Sequence, residues 1–80
     1  MTSTTTSIRP HAIVEIFRRV LEADHVTDES DFFEAGGDSL LATRVLSAIA
    51  RDYDVELTFD DFVIAPSPGA LATLVGSLRA

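Results

Sequence analysis

Gly36-Gly37-Asp38-Ser39-Leu40 is the stretch of this chain whose residue types could do chemistry. Two consecutive glycines let a backbone turn sharply. Asp38 has a side chain that accepts the free amides of a helix's first turn. Ser39 follows as the first helical residue, with its hydroxyl beside unsatisfied N–H groups and the positive end of the helix dipole. That setting tolerates a phosphate, so Ser39 is a candidate acceptor for a phosphodiester. Taken as a tetrapeptide, Gly-Gly-Asp-Ser is also an ordinary helix cap with no chemistry, and the spacing by itself does not separate the two.

Other chemistries fit less well. Gly37-Asp38-Ser39-Leu40 spells the motif of the GDSL ester hydrolases, but that reaction needs a histidine to take the serine proton. In those enzymes the histidine lies far downstream in an Asp-x-x-His motif. This chain has only His11 and His25, both upstream. The Gly-x-Ser-x-Gly nucleophile elbow is absent. Two histidines on different elements, with scattered acids, do not make a metal ligand set. The acidic stretch from Asp24 to Asp31 lacks the spacing and central glycine of a calcium loop. No catalytic residue and no metal site is assigned, and the chain is read as non-enzymatic.

The elements that must hold Ser39 in place follow from a chain of 80 residues, enough for one domain. A domain this small buries only about 60% of its unfolded surface. With no cysteine it has no disulfide and no thiolate metal site, so a compact apolar core must hold it. Any thiol chemistry would need a thiol brought from outside the sequence. Six arginines and no lysines stand against thirteen acids, for a net charge of −7. Such a chain is repelled by nucleic acid and favours basic partner surfaces, unless the acids serve only solubility. The apolar stretches are too short for a membrane span, and the polar N-terminus has neither the basic start nor the apolar run of a secretory signal. Residues 1–8 are expected to be a disordered tail, 9–80 the folded domain, and the location cytoplasmic.

Pro10 suits a first helical turn, and Ile13, Ile16, Phe17, Val20 and Leu21 fall at helical spacing, which predicts a helix over about 10–23. Arg18, Arg19, Glu15 and Glu22 fall outside that stripe. A loop over 24–38 carries Val26, Phe32 and Phe33, too apolar for water, so at least one phenylalanine must anchor it. A second helix runs from Ser39 to about Asp52. Its core stripe is Leu41, Val45, Ala48 and Ile49, and its opposite face carries Leu40, Thr43, Arg44, Ser47 and Arg51. Leu40 is thus an apolar residue on a polar face, immediately after the serine. Thr58 with Asp61 reads as a capping box before a short helix over about 58–64, which Pro66 ends. Phe59 and Val63 are assigned to the core, with groove lining as the alternative. Ser67 caps a last helix with Pro68 in its first turn and the stripe Leu71, Leu74, Val75 and Leu78. The sum is an all-α four-helix bundle, three main helices and one short one.

At these residues the sequence resembles the peptidyl carrier (thiolation) proteins of nonribosomal peptide synthesis, within the acyl carrier protein-like superfamily. The block DFFEAGGDSLLATRV and a second block, VELTFDDFVIAPSPGALATLV, carry the resemblance, which covers about residues 10–79. It implies that Ser39 is the attachment site for 4′-phosphopantetheine, transferred from coenzyme A by a Mg²⁺-dependent phosphopantetheinyl transferase. It implies an adenylating enzyme that loads an amino or aryl acid as a thioester, and downstream condensing, tailoring or thioesterase enzymes. Asp38 matches the acid that often precedes the serine, and it either caps the helix or also guides the transferase. Leu40 and Arg44 become partner-contact candidates, as do Val63 and Ile64. Ile64 stands where many relatives have an acid, so it is either an added contact or an isolated exposed side chain. A start at Met1 and an end soon after the last helix fit a free-standing carrier, and equally one trimmed from a longer synthetase; a monomer is expected.

Two other readings remain at this point. An acyl carrier of fatty-acid or polyketide synthesis shares Asp-Ser-Leu and the cofactor, but usually has a more acidic helix after the serine than one bearing Arg44 and Arg51. A helical interaction module with an inert serine predicts no modification of Ser39.

Overall fold

The computed structural model describes residues 9–79. In these residues the helices are α1 (Pro10–Leu21), α2 (Ser39–Tyr53), α3 (Phe59–Ile64) and α4 (Pro68–Arg79), and no strand forms among them. The expected four-helix bundle is therefore observed. The predicted tail over 1–8 lies outside the described residues. No helix among the described residues is long and apolar enough to cross a membrane.

Local chemistry sets the helix boundaries. Pro10 opens α1 in its first turn. The helix stops at Leu21, two residues short of the expected end, because Glu22 turns left-handed (φ 53°) and the chain folds back on Arg18 O. Asp54 ends α2 in the same way (φ 58°). A full capping box opens α3: Asp61 N–H donates to Thr58 Oγ1 at 3.1 Å, and Thr58 N–H donates to Asp61 Oδ2 at 3.0 Å. Before α4, Ser67 Oγ accepts from Ala70 N–H at 3.3 Å.

Three phenylalanines form the centre of the core. Phe17 from α1, Phe32 from the long loop and Phe62 from α3 are fully buried. Phe32 sits edge-on to both others, with ring centroids 5.1 Å from Phe17 and 4.9 Å from Phe62. Around them pack Ile13 and Ile16 of α1, Val45 and Ile49 of α2, and Leu71 and Val75 of α4. The 24–38 loop is anchored, as expected, by Phe32 and by buried Val26. Main-chain bonds tie it to the α3–α4 junction as well: Phe32 N–H to Pro66 O and Gly69 N–H to Asp28 O, both 2.8 Å.

Several side-chain assignments need correction. Phe59 (41% exposed) and Val63 (50%) are not core, because a helix of six residues has one inward face and Phe62 occupies it. Phe33 is exposed, and it lies across the rims of Phe32 and Phe62. On α2 the deep position falls to Ala42, and Leu41 is half-buried. Leu78 is exposed at the end of α4. Arg18, outside the apolar stripe as expected and part-exposed, links α1 to the loop: its Nη2 donates to Val26 O at 3.2 Å and its Nη1 to Glu15 Oε2 at 3.3 Å.

Candidate functional site

The site is built at the junction of the long loop and α2. Asp31 starts the approach: its Oδ1 accepts from Phe33 N–H (2.9 Å) and Glu34 N–H (3.1 Å), and its carbonyl accepts from Ala35 N–H (2.9 Å). Gly36 then takes φ +106°, a conformation that side chains rarely adopt. Gly37 N–H donates to Phe32 O at 2.9 Å, and its Cα lies close against the Phe32 ring. The two glycines are needed for different reasons. At Gly36 the space is open and the backbone angle requires glycine. At Gly37 an added Cβ would collide with the Phe32 ring.

Phe32 is held between Phe17 and Phe62 and cannot step aside. Gly37→Ala is therefore expected to cost about 1–3 kcal/mol, the range for overpacking a core. A urea melt measures it; an unchanged midpoint would show that the ring yields.

Asp38 is the N-cap of α2. Its Oδ1 accepts from Leu41 N–H at 2.9 Å, and its carbonyl accepts from Ala42 N–H at 2.8 Å. Ser39 is the first helical residue, and it is exposed. Among the described residues no hydrogen bond holds its Oγ, and the amides of Ser39 and Leu40 have no acceptor. The first turn of α2 carries no acid. The result is a free hydroxyl beside two open N–H groups at the positive end of a 15-residue helix. This geometry fits a phosphodiester on Ser39: nothing must be displaced from the hydroxyl, and the glycine turn leaves it open to a large enzyme.

The other residues singled out from the sequence divide between two places. Leu40 (66% exposed) and Arg44 line one open groove of about 410 Å³ between α2 and the end of α1. Val63 and Ile64 (82% exposed) stand on α3. With Phe33 and Phe59 they add to the exposed apolar surface. His11 lies on the surface of α1 with its Nε2 3.5 Å from Glu15, and His25 is exposed. Sequence reasoning missed Arg19 as a site residue. It sits on α1 and joins Arg44 and Arg51 in the groove only through helix packing.

Comparison with known proteins adds to this geometry. The family model for the phosphopantetheine attachment site matches residues 11–75. Pyochelin synthetase PchE of Pseudomonas aeruginosa is 41% identical over 60-odd residues, 61 in all, which are 76% of this chain and 4% of that synthetase. The chain spans only 1–4% of the length of the curated relatives it matches. Among solved structures, the complex of the phosphopantetheine transferase Sfp with coenzyme A and a peptidyl carrier protein contains a chain that matches with a TM-score of 0.83. It is 31% identical, over 89% of this chain and 92% of that one. The A-PCP structure of McyG complexed with phenylalanyl-adenylate matches with a TM-score of 0.80 at 26% identity, over 86% of this chain and 11% of that one.

Proposed function

The chain belongs to the phosphopantetheine attachment site family, and on that premise we propose that Ser39 is the attachment residue of a peptidyl carrier in nonribosomal peptide synthesis. The observation that carries this reading is the exposed, unbonded Ser39 hydroxyl at the capped start of α2. In the transfer, Ser39 Oγ forms a new bond to phosphorus as adenosine 3′,5′-bisphosphate leaves coenzyme A. The serine proton passes to a base on the transferase. Once attached, the arm supplies the thiol that this cysteine-free chain lacks, and an acid is held there as a thioester.

The chain's own residues position this group and do no bond chemistry on the acid. Asp38 and the two glycines fix the direction of Ser39, while the open amides of Ser39 and Leu40 stabilise the phosphodiester charge. Asp38 keeps its second carboxylate oxygen outside any hydrogen bond among the described residues, so it is available to the transferase. Tethering raises the effective concentration of the acid at each partner enzyme. The domain is assigned to residues 9–80. Its partners are a phosphopantetheinyl transferase, an adenylating enzyme and downstream condensing, tailoring or thioesterase enzymes. The transferase and adenylation partners are supported by the matched chains that were solved in such company. The test is the intact mass of the purified chain after incubation with coenzyme A, Mg²⁺ and a broad-specificity transferase; the reading requires a gain of one phosphopantetheine unit.

Leu40, Arg44, Val63 and Ile64 are the proposed partner contacts, and Leu40 is the one next to the arm. Leu40→Asp places an acid in the first turn of a helix and removes an exposed side chain, so the thermal melt should not fall. The rate of loading by the adenylating enzyme should drop by about tenfold, the cost of one good interface anchor. Unchanged loading and downstream kinetics would remove Leu40 from the interface.

A further inference from the structure

We infer that the groove between α1 and α2 is a docking site for an acidic helical segment of a partner protein. The inference rests on the carrier reading only for why partners approach this end of the molecule. Leu40, Arg44, Ser47 and Arg51 follow one another at i, i+4, i+7 and i+11, which is a single stripe along α2 about 16 Å long. Arg19 from α1 faces the same groove, and Glu22 is the one carboxylate in its lining.

The charge of this stripe opposes that of the chain. Thirteen acids against six arginines leave a net charge of −7, yet three of those arginines line one groove. Arg19 and Arg44 are in no ion pair among the described residues. Arg51 gives its Nε to Asp52 at 3.4 Å and keeps its terminal nitrogens outside any hydrogen bond among the described residues. The acidic remainder of the chain repels an acidic partner, so attraction here both speeds encounter and selects the orientation. The 16 Å stripe matches about three turns of a partner helix. Leu40 supplies an apolar contact at the end nearest Ser39, so a helix seated here leaves the rest of its protein beside the arm. A tethered aminoacyl group suits the groove less well, because its ammonium would meet three guanidinium groups.

The probe is a 14-residue helical peptide with Glu and Leu on one face, compared with a version that has Gln at every Glu. Each is titrated into ¹⁵N-labelled full chain, with and without the phosphopantetheine arm. We expect shifts at the Arg19, Arg44 and Arg51 Nε–H groups and the amide of Leu40 with the Glu peptide alone. Affinity should fall about threefold for Arg44→Gln and about tenfold or more for the triple variant Arg19→Gln/Arg44→Gln/Arg51→Gln, in line with exposed ion pairs. It should fade toward 1 M salt, where screening leaves a Debye length of about 3 Å. Equal binding of the Gln peptide, shifts centred on Phe59–Ile64, or an unchanged triple variant would each overturn the proposal. Groove shifts caused by a loaded cargo in place of the peptide would overturn it too. The natural chain's own gain of phosphopantetheine tests the carrier reading separately: without that gain the carrier reading would fail, while titration of the unmodified chain would still decide the groove.

Discussion

Ser39→Ala will show no gain in mass after incubation with coenzyme A, Mg²⁺ and transferase, under conditions in which the natural chain gains one phosphopantetheine unit. The loss will be chemical rather than structural. Alanine is the best helix former, the replaced side chain is exposed, and its Oγ holds no hydrogen bond among the described residues. The cap that starts α2 belongs to Asp38 and stays in place. Other hydroxyls are poor substitutes. Thr43 Oγ1 donates to Ser39 O, Thr27 and Ser30 bond each other and the loop, and Thr58 and Ser67 cap α3 and α4. None of them combines an unbonded oxygen with two open amides. A full mass gain in the variant would move the attachment to another residue. No gain in the folded, unmodified natural chain would return the domain to a plain interaction module.

Phe32→Ala is expected to destabilise the domain by about 3–5 kcal/mol, and Phe33→Ala by much less, under about 1.5 kcal/mol. The two residues are adjacent in sequence and identical in type, so the contrast isolates burial. Phe32 is fully buried against Phe17 and Phe62, supports Gly37, and anchors a loop whose main chain bonds to Pro66. Phe33 is 37% exposed and covers the rim of that cluster. A domain of this length has a total stability of about 4–12 kcal/mol, so Phe32→Ala removes a large part of it. Because the loop leads into Ser39, the truncated chain should also lose its phosphopantetheine acceptance as it melts, whereas Phe33→Ala keeps it. Urea melts of both variants check this, and equal losses would show that the two rings share the anchoring.

Much of the fold was legible in the sequence because its signals are local. Helical spacing at Ile13, Ile16 and Phe17 and at Val45, Ala48 and Ile49 reports which face of a helix is apolar, and the structure buries those faces. Pro10, the Thr58–Asp61 box, Pro66 and Ser67 mark ends through bonds within one turn. Gly36, Gly37 and Asp38 likewise specify a turn and a cap that any context would permit. The family resemblance rests on these same residues, and it supplied the cofactor, which no local rule could.

What the sequence left open depends on contacts between elements. Periodicity cannot say which of Phe32 and Phe33 enters the core, since a loop has no fixed face. It placed Phe59 and Val63 inside because they are apolar, but α3 has room for Phe62 alone. The left-handed Glu22 that ends α1 is not glycine, so its backbone shape had no signal in its residue type. The bond from Arg18 to the loop carbonyl of Val26 spans eight residues and had no signal within one helical turn. By itself the sequence determined the four helices, the inward face of α1 and most of that of α2, and the capped serine, because hydrogen bonds and apolar spacing within a turn need no distant partner. Only the tertiary structure decided which rings meet, which apolar residues stay outside, and that Arg19 joins Arg44 and Arg51, because those outcomes depend on how close the helices pack.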